Sequence, residues 1–452
     1  MISIQVPFHF YPDAVGGTEV YALTLAQRLC RAGHKVHIAA PGERREEYRH
    51  EGIQVHRFTT GNLEDISGLY GEGDSFAARQ FEEILDCTGP ELVHLHGISP
   101  AISVKVIREI KRRGIPVVLT VHIPGILCSR GTMLRYGAEV CDGVLEVRKC
   151  SRCALHARGM TKVLAQAMGT MPVCLGEAVA VTGHQAGWMT ALRMTGLMRM
   201  RQKAIQQVLR EVDHVVAVSE WMRLALLANG IPPSKLTLCR HGVTQHGATE
   251  CITRQPHLPV EPRKSKRVAF IGRLNEAKGV HVLVDAVLRS PDLPLDLHVY
   301  GIVQGSSGSE YVRNLVARSS HDPRIQLHAP IENIDVPETL RAYDAVAIPS
   351  LGMETGPLVV YDAFAANIPV IGSRRGGIAE LIVHERNGLL VDPPDDVYAW
   401  SAALNRFCSE PGLAEKLRPG ITALRSMNTV AGEMLQLYGS LTCQPGWMAS
   451  AE

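Results

Sequence analysis

The sequence lacks the features that mark several large classes of protein. Aromatic residues make up 5% of its 452 residues, charged residues make up 20%, and the formal net charge is only +2. A dedicated nucleic-acid binder normally has a strongly basic domain, so we expect no nucleic-acid partner. No run of about 18 apolar residues occurs, so no membrane-spanning helix is predicted. The pattern G-x-x-x-x-G-K-[ST] is also missing, which argues against a P-loop NTPase.

The first residues, MISIQVPFHFYPDAVGG, have no basic stretch, and Pro7 and Pro12 interrupt them early. They therefore do not have the pattern of a secretory signal peptide. The chain has eleven cysteines. Without an export signal, cysteines are more typical of reduced thiols or metal ligands than of a disulfide framework. We therefore expect a cytoplasmic protein.

Short apolar runs alternate with helical patterns along most of the chain. The runs in the first half are ISIQV, KVHIAA, ELVHLHG, IPVVLTVH and DHVVAVS. Those in the second half are VAFIGRL, LDLHVYG, RIQLHAP, DAVAIPS, IPVIGS and NGLLVD. Such alternation predicts an α/β protein with parallel sheets covered by helices on both faces. We expect two doubly wound, Rossmann-like domains facing across a cleft, with ligands at the carboxyl ends of the strands.

Composition also predicts where these domains begin and end. We place an N-terminal domain at residues 1–245, with a Cys-rich and then Met-rich helical insertion at about 124–210. Residues 246–265, rich in Pro, His and basic side chains, are the predicted linker. A C-terminal domain should span 266–410. Helices in residues 411–452 are expected to pack back on the N-terminal domain.

Two segments of the second half predict an anion-binding site. In VAFIGRLNEAKGV, Arg273 and Lys278 lie in the glycine turn after a strand and at the start of a helix. In METGPLVV, Glu354 precedes Gly356 and a helix start at which Pro357 should occupy the first helical position. The first backbone N–H groups of that helix, those of Leu358 and Val359, would be available to an anion.

Two basic side chains and two helix N-termini at strand ends are sufficient to hold a diphosphate without a metal. Asp362 lies eight residues after Glu354, one turn into the helix, and suggests a ligand held at both ends. A rival dinucleotide-binding pattern, GEGDSFA at residues 71–77, does not follow a buried strand, and we therefore reject it.

The insertion begins with four closely spaced cysteines: Cys128, Cys141, Cys150 and Cys153. A C-x-x-C pair with two more thiols nearby is the composition of a tetrahedral zinc site, and an iron–sulfur cluster also uses four thiolates. A structural zinc ion is the preferred prediction and an iron–sulfur cluster the alternative. Small buried residues with no metal are the remaining interpretation.

Taken in order, these segments resemble the retaining glycosyltransferases of family 4, which have the two-domain GT-B fold. The resemblance rests on VGGTEVYALTLAQRLCRAGHKVHI, HLHG, TVH, VAVSEWMR, RHGV, FIGRLNEAKGV and PSLGMETGPLVVYDAFAANIPVIGSRRGGIAELI. It implies transfer of a sugar from a nucleotide diphosphate sugar to an acceptor, with no metal required. It also makes the N-terminal domain the acceptor side and the C-terminal domain the nucleotide-sugar side.

The resemblance implies roles for individual residues. Arg273 and Lys278, with Gly356 and the Leu358 and Val359 amides, would bind the diphosphate. Glu354 would contact the donor sugar and stabilise charge at the reacting carbon, and Asp362, where the family usually has Glu, would accept hydrogen bonds from ribose. The implied N-terminal contacts are Gly16 and Gly17 near the phosphates or the acceptor, and His122 on the donor sugar.

The predicted function is hexosyl transfer to a glycan or lipid-linked glycan acceptor in polysaccharide biosynthesis. A nucleotide-sugar epimerase and a non-catalytic sugar-nucleotide-binding subunit are the alternatives. Basic residues at positions 105–113, and the Met-rich helix with Arg193, Arg199 and Arg201, suggest peripheral contact with an anionic bilayer at the inner face of the membrane. A solvated basic face and core packing of the methionines are the competing interpretations.

Overall fold

The structure is a computed structural model. It describes residues 1–13, 16–61, 66–180, 187–243, 264–303, 305–332, 335–422 and 425–442. The chain divides into two compact units. The first comprises Met1–Arg240 together with Met427–Glu452, and the second is His241–Ser426.

An eight-stranded sheet forms the centre of the first unit. Its strands are β1 (Ile2–Val6), β2 (Lys35–Pro41), β3 (Glu46–His50), β4 (Ile53–Phe58), β5 (Leu92–Leu95), β6 (Val117–Val121), β9 (His214–Ala217) and β10 (Leu236–Leu238). Their order is β10-β9-β6-β5-β1-β2-β4-β3. All neighbours are parallel except β3, which pairs with β4 in an antiparallel hairpin. A separate two-stranded hairpin consists of β7 (Leu134–Arg135) and β8 (Glu139–Val140).

Helices connect these strands. They are α1 (Gly17–Arg31), α2 (Ile66–Tyr70), α3 (Ser75–Thr88), α4 (Val104–Arg112), α5 (Val147–Ala157), α6 (Lys162–Met168), α7 (Val173–Ala180), α8 (Gly187–Leu192), α9 (Met194–Glu211) and α10 (Glu220–Ala228). Local sequence explains both ends of α3. Asp74 caps α3 by accepting a hydrogen bond from the Phe76 amide, and Gly89 ends that helix in the left-handed conformation.

The last helix, α18 (Met427–Thr442), completes the core of the first unit. Its buried side chains Met427, Val430, Met434 and Tyr438 share one apolar cluster with residues of α1 and of β2, β4, β5, β6 and β9. Because α18 follows the entire second unit in sequence, the chain returns to the first unit to finish its core.

Residues 124–210 form the helical insertion, with the β7–β8 hairpin near its start. Within it, Met194 and Met198 pack with Ala154, Leu155 and Ala165 in a small apolar cluster. Met194 and Met198 are therefore core residues, as the competing interpretation of that helix expected. Contact of this helix with a membrane stays a prediction.

The second unit is a six-stranded parallel sheet in the order β13-β12-β11-β14-β15-β16. Its strands are β11 (Lys266–Arg273), β12 (Leu295–Ile302), β13 (Ile325–His328), β14 (Ala345–Ile348), β15 (Val370–Ser373) and β16 (Gly388–Val391). Its helices are α11 (Val280–Leu288), α12 (Gly305–Ser319), α13 (Val336–Leu340), α14 (Leu358–Ala365), α15 (Gly376–Leu381), α16 (Val397–Ser409) and α17 (Leu413–Leu417). Two apolar clusters, centred on Leu283 and on Val346, cover the two faces of this sheet.

The predicted α/β architecture with parallel sheets is confirmed, and every apolar run that predicted a strand is one. Sequence periodicity missed β3, β4, β7, β8 and β10. The predicted linker, 246–265, lies outside the described residues apart from its last two. The predicted C-terminal segment, 411–452, is divided between the units, because α17 belongs to the second unit and α18 to the first.

The basic face of α4 is neutralised by neighbouring acidic groups. Arg108 pairs with Glu72 at 2.8 Å and Lys111 with Asp213 at 2.7 Å. Arg112 and Arg113 also have acidic partners. A surface whose cations are already paired attracts an anionic bilayer weakly. Among the described residues, no helix combines the length and apolar character needed to cross a membrane.

We expect Met434→Ala to destabilise the first unit by about 2–5 kcal/mol, because it removes a buried side chain from the α18 contact and leaves a cavity. Gln436→Ala, on the exposed face of the same helix, should change stability by less than about 0.5 kcal/mol. Urea unfolding followed by circular dichroism measures both. Equal effects of the two substitutions would show that α18 does not contribute to this core.

Candidate active site

An ion pair at the carboxyl end of β11 is the centre of the candidate site. The Lys278 ammonium lies 2.7 Å from the Glu354 carboxylate, and each side chain is only about one-fifth exposed (22% and 21%). Lys278 ends a 3₁₀ turn, Glu276–Lys278, and its own amide donates to the side-chain oxygen of the N-cap residue Asn275 at 3.1 Å. The structure therefore brings together two predicted site residues that are 76 positions apart in sequence.

The turn that carries Lys278 requires a glycine at its end. Gly279 has φ +69°, and a side chain there would overlap the carbonyl oxygen of Pro349. Gly279 also precedes α11, so the chain passes from β11 through the turn into the helix without a steric clash. The close approach places the turn directly against the start of the Glu354 loop.

Backbone hydrogen bonds hold the Glu354 loop, residues 350–357, at both sides. The Leu351 amide donates to the Ala277 carbonyl at 2.8 Å, which ties the loop to the Lys278 turn. The Gly377 amide donates to the Glu354 carbonyl at 2.6 Å. Because these bonds come from two different parts of the unit, the carboxylate is fixed in position before any ligand binds.

Two side chains complete the support of this loop. Arg375 donates from Nη1 to the Leu351 carbonyl at 2.7 Å. His241 Nδ1 lies 3.1 Å from the Gly356 carbonyl oxygen. Burial lowers the pKa of His241 to about 4, so its ring is neutral near pH 7 and Nδ1 carries the proton that it donates. The sequence motif RHGV gave no indication of this role.

Charge at the site favours ionised Glu354. Burial alone would raise the pKa of Glu354, but Lys278 and the more distant Arg273 outweigh it, and the pKa lies below its ordinary value. The carboxylate therefore stays negative near neutral pH. Arg273, the last residue of β11, is exposed. Three of the four charged residues predicted for the second unit, Arg273, Lys278 and Glu354, therefore interact electrostatically.

The start of α14 differs by one residue from the prediction. Pro357 is the N-cap residue, with φ −69° and ψ 101°, and the first helical residue is Leu358. The prediction that Pro357 occupies the first helical position is wrong, because its extended ψ keeps it outside the helix. The first intrahelical bond runs from the Val360 amide to the Pro357 carbonyl. The Leu358 and Val359 amides precede it, as an anion-binding helix start requires.

Asp362 lies one turn into α14, in a different environment from Glu354. Burial raises the pKa of Asp362 to about 7. Its carboxyl group is therefore close to half-protonated at neutral pH, whereas Glu354 is fully ionised.

The predicted residues of the first unit lie at the carboxyl ends of its strands and at the start of α1. Gly16 is the N-cap residue of α1, and its amide donates to the Glu19 carboxylate at 2.8 Å. Gly17 is the first helical residue. His122 follows β6, is 5% exposed, and lies with Nε2 3.1 Å from Nδ1 of His96. The three residues were predicted as ligand contacts, and they remain predictions.

The four cysteines of the insertion do not form a ready-made metal site. Within the described part of the chain, no group of three or more His, Cys, Asp or Glu side chains is arranged to hold a metal ion. Cys153 Sγ instead accepts from the Tyr136 amide at 3.4 Å. Burial raises the pKa of Cys150 and Cys153, which disfavours the thiolate. The structure therefore gives the zinc and iron–sulfur predictions for Cys128, Cys141, Cys150 and Cys153 no support.

The fold and the charged site together define a class of protein. Two parallel α/β units, with cations and a helix N-terminus at strand carboxyl ends of the second, are the organisation of the GT-B glycosyltransferases. The chain belongs to Glycosyltransferase Family 4, whose model matches residues 15–245. A second model, described as Glycosyl transferases group 1, matches residues 254–422.

Proteins of similar sequence include two that are named as glycosyltransferases. The chain is 32% identical over 211 residues to a D-inositol 3-phosphate glycosyltransferase of Corynebacterium urealyticum, covering 44% of this chain and 48% of that protein. It is 27% identical over 209 residues to the putative colanic acid biosynthesis glycosyltransferase WcaL of Salmonella typhimurium, covering 45% and 49%. The chain therefore spans about half the length of the curated relatives it matches.

Similar folds cover nearly the whole chain. Sucrose-phosphate synthase of Thermosynechococcus elongatus has a TM-score of 0.66 at 19% identity, covering 97% of this chain and 98% of that one. The Anabaena protein Alr3699/HepE in complex with UDP-glucose has a TM-score of 0.61 at 15% identity, covering 97% and 99%. These likenesses confirm the predicted GT-B fold.

The raised pKa of Asp362 predicts a pH-dependent stability. The folded-state pKa, about 7, lies above the unfolded value of about 3.9. The unfolded state therefore releases the proton first, and the free energy of unfolding should fall as the pH rises from about 4 to about 7. We expect Asp362→Asn to remove this component, which is at most about 4 kcal/mol. Urea unfolding of both proteins between pH 4.5 and 8 tests this; parallel pH profiles would contradict it.

Proposed function

We propose that the protein is a retaining glycosyltransferase that moves a hexosyl group from a nucleotide diphosphate sugar to a glycan or lipid-linked glycan acceptor. The observation that carries this proposal is the 2.7 Å pair between Lys278 and Glu354. Arg273 and the α14 N-terminus belong to the same unit as this pair. Retention at the anomeric carbon rests on the family resemblance.

The proposed chemistry follows from the charges. As the diphosphate leaves, negative charge grows on it and an oxocarbenium-like centre forms on the sugar. The Lys278 ammonium has three N–H donors, so it can contact Glu354 and a phosphate oxygen together. Glu354, held ionised, would stabilise the positive carbon. Arg273, Lys278 and the Leu358 and Val359 amides supply the positive potential, so the proposal requires no metal ion.

The donor is proposed as a nucleotide sugar because proteins of the same fold bind such molecules. Structures of similar fold include the Anabaena protein with UDP-glucose and starch synthase IV of Arabidopsis thaliana bound to ADP and acarbose. Asp362 would accept the ribose hydroxyls in its ionised form. Because its pKa is about 7, donor affinity should strengthen as the pH rises through neutrality.

The acceptor is proposed from the name of one relative of similar sequence. WcaL is named as a putative enzyme of colanic acid biosynthesis, which favours a polysaccharide pathway. We propose a lipid-linked acceptor and peripheral contact with the inner face of a membrane. The apolar side chains that would make this contact are Val163 and Leu164 of α6 and Leu175 of α7, which are 77%, 49% and 51% exposed.

We expect Lys278→Ala to reduce sugar transfer about 10²–10³-fold, because it removes a preorganised cation from the leaving diphosphate. A thermal-shift panel of UDP-, GDP- and ADP-glucose first identifies the donor, since binding raises the apparent melting temperature by mass action. Transfer is then measured by mass spectrometry, with undecaprenyl-diphosphate-linked glycans as acceptors.

Lys266→Ala is the matched control, because Lys266 lies at the opposite end of β11 and pairs with Asp344 at 3.6 Å. It should leave transfer unchanged. Full activity of Lys278→Ala would overturn the assignment. Conversion of the donor sugar to its epimer without an acceptor would instead identify an epimerase.

We expect the protein to float with liposomes that contain anionic lipid, and the double variant Val163→Asp and Leu164→Asp to bind them more weakly. Burial of two apolar side chains contributes about 1.5–3 kcal/mol each when complete. Flotation in a sucrose gradient at two salt concentrations measures this. Wild-type protein that stays wholly at the bottom would refute the membrane proposal and leave the transferase proposal intact.

A further inference from the structure

The first turn of α11 cannot be capped by its own N-cap residue. This helix begins directly after the Lys278 turn, and its N-cap residue is Gly279, which has no side chain to accept the first amides. A larger residue does not fit there, since Gly279 has φ +69° and a Cβ atom would lie 2.0 Å from the Pro349 carbonyl oxygen. The side chains that usually cap a helix, those of Ser, Thr, Asp and Asn, are therefore excluded. The cap has to come from elsewhere in the chain.

The cap comes from Tyr311 of the neighbouring helix α12. Its hydroxyl oxygen lies 3.0 Å from the backbone nitrogen of His281, the second residue of α11. The same hydroxyl lies 3.0 Å from Nδ1 of the His281 ring. The two rings pack edge to face, with centroids 5.8 Å apart and planes at 84°. One tyrosine side chain therefore contacts both the backbone and the imidazole of His281.

The hydrogen bonds of this cap have a definite direction. A backbone N–H can only donate, so the Tyr311 oxygen accepts from the His281 amide. The hydroxyl proton is then donated to Nδ1 of His281, which must be unprotonated to accept it. Burial raises the pKa of Tyr311 to about 12 and lowers the pKa of His281. Both changes favour the forms that this arrangement needs, a protonated phenol and a neutral imidazole.

The capped turn directly follows the lysine of the candidate active site. Lys278 is three residues before His281, and its own amide is bonded to Asn275. The Val282 amide donates to the Gly279 carbonyl at 3.0 Å, so with the cap in place the backbone is bonded on both sides of Lys278. A fixed backbone limits the directions that the lysine side chain can take.

We propose that Tyr311 is a positioning residue that caps α11 from a second helix and thereby holds the Lys278 ammonium in place for an anionic ligand. This inference rests on the proposed function in one respect: the anion would be the diphosphate of a nucleotide sugar. It also distinguishes two helix starts of this unit. The α14 start has amides that precede its first intrahelical bond, whereas the His281 amide of α11 is already bonded. The anion would therefore meet the α11 turn through the lysine side chain.

The first experiment tests the cap without any ligand. Amide hydrogen exchange is followed by NMR in ¹⁵N-histidine-labelled protein, and the signal that is lost in His281→Asn assigns the His281 amide. We expect Tyr311→Phe, which removes only the hydroxyl, to speed the exchange of this amide about 5-fold, the effect of one hydrogen bond of ordinary strength. Equal exchange in the wild type and in Tyr311→Phe would overturn the inference.

The second experiment measures whether the cap acts through Lys278. Inorganic pyrophosphate is the probe, and its affinity is measured by isothermal titration calorimetry. We expect Tyr311→Phe to weaken binding about 5-fold in the wild type. In a Lys278→Ala background it should weaken binding less than about 2-fold, because the effects of coupled residues do not add. An equal loss in both backgrounds would show that the hydroxyl acts independently of Lys278 and would refute the positioning role.

Arg318→Ala is the matched control. Arg318 also joins α12 to α11, through an ion pair at 2.7 Å with Asp285 in the second turn of α11. The substitution should change pyrophosphate affinity less than about 2-fold and leave exchange of the His281 amide unchanged. A loss of affinity as large as that of Tyr311→Phe would mean that any contact between the two helices has this effect, and it would refute a specific role of the tyrosine hydroxyl.

Sugar transfer separates this inference from the proposed function. In a protein that transfers sugar, Tyr311→Phe should lower kcat/KM about 5-fold, because the lysine stabilises charge on the leaving diphosphate. Wild-type protein that shows the expected coupling with pyrophosphate but transfers no sugar would refute the proposed function and leave the positioning role standing. Wild-type protein that binds no pyrophosphate would refute the diphosphate site and, with it, the positioning role.

Discussion

The ionised Glu354 side chain is the constraint on which the candidate active site depends. A partly buried carboxylate is stable only when it is paired, and removal of one partner leaves an uncompensated charge. Lys278 supplies that partner from a different strand connection. The backbone around Glu354 is tied separately, by the Leu351–Ala277 and Gly377–Glu354 hydrogen bonds. The Lys278 side chain therefore stabilises the negative charge of Glu354, whereas backbone hydrogen bonds fix the position of Glu354. A substitution can alter one of these without the other. Gly279 makes this possible, because a side chain there would separate the two connections.

Much of the fold could be predicted because most of its strands and helices have recognisable patterns in the local sequence. Most buried strands of the two parallel sheets are short apolar runs, and they are followed by polar or glycine-containing loops and amphipathic helices. The strands that escaped prediction lack this pattern. In β3, EEYRH, the side chains are alternately exposed and half-buried, so the segment has the composition of a loop. The return of α18 to the first unit depends on tertiary contacts of Met434 and Tyr438, and sequence periodicity can suggest it but not establish it.

The site was predictable to the extent that its residues sit at strand ends and helix starts. Arg273, Lys278, Glu354 and Asp362 were predicted by that rule. The different protonation states of Glu354 and Asp362 could not be predicted from the sequence. The pKa of each depends on burial, and that of Glu354 also depends on Lys278, which is distant in sequence. The cysteine cluster was predicted from spacing alone, which suggested a metal site at Cys128, Cys141, Cys150 and Cys153. In the folded chain, Cys153 bonds backbone groups and Cys150 packs against an apolar cluster, so the metal site stays a prediction.

The two units place chemically different groups at equivalent positions of their sheets. Strand ends of the second unit carry full charges, which stabilise charge that develops during a reaction and so affect its rate. Strand ends of the first unit carry imidazoles instead: His96 follows β5, His122 follows β6, and Nδ1 of His96 lies 3.1 Å from Nε2 of His122. The full charges of the candidate site, on Arg273, Lys278 and Glu354, come from the second unit.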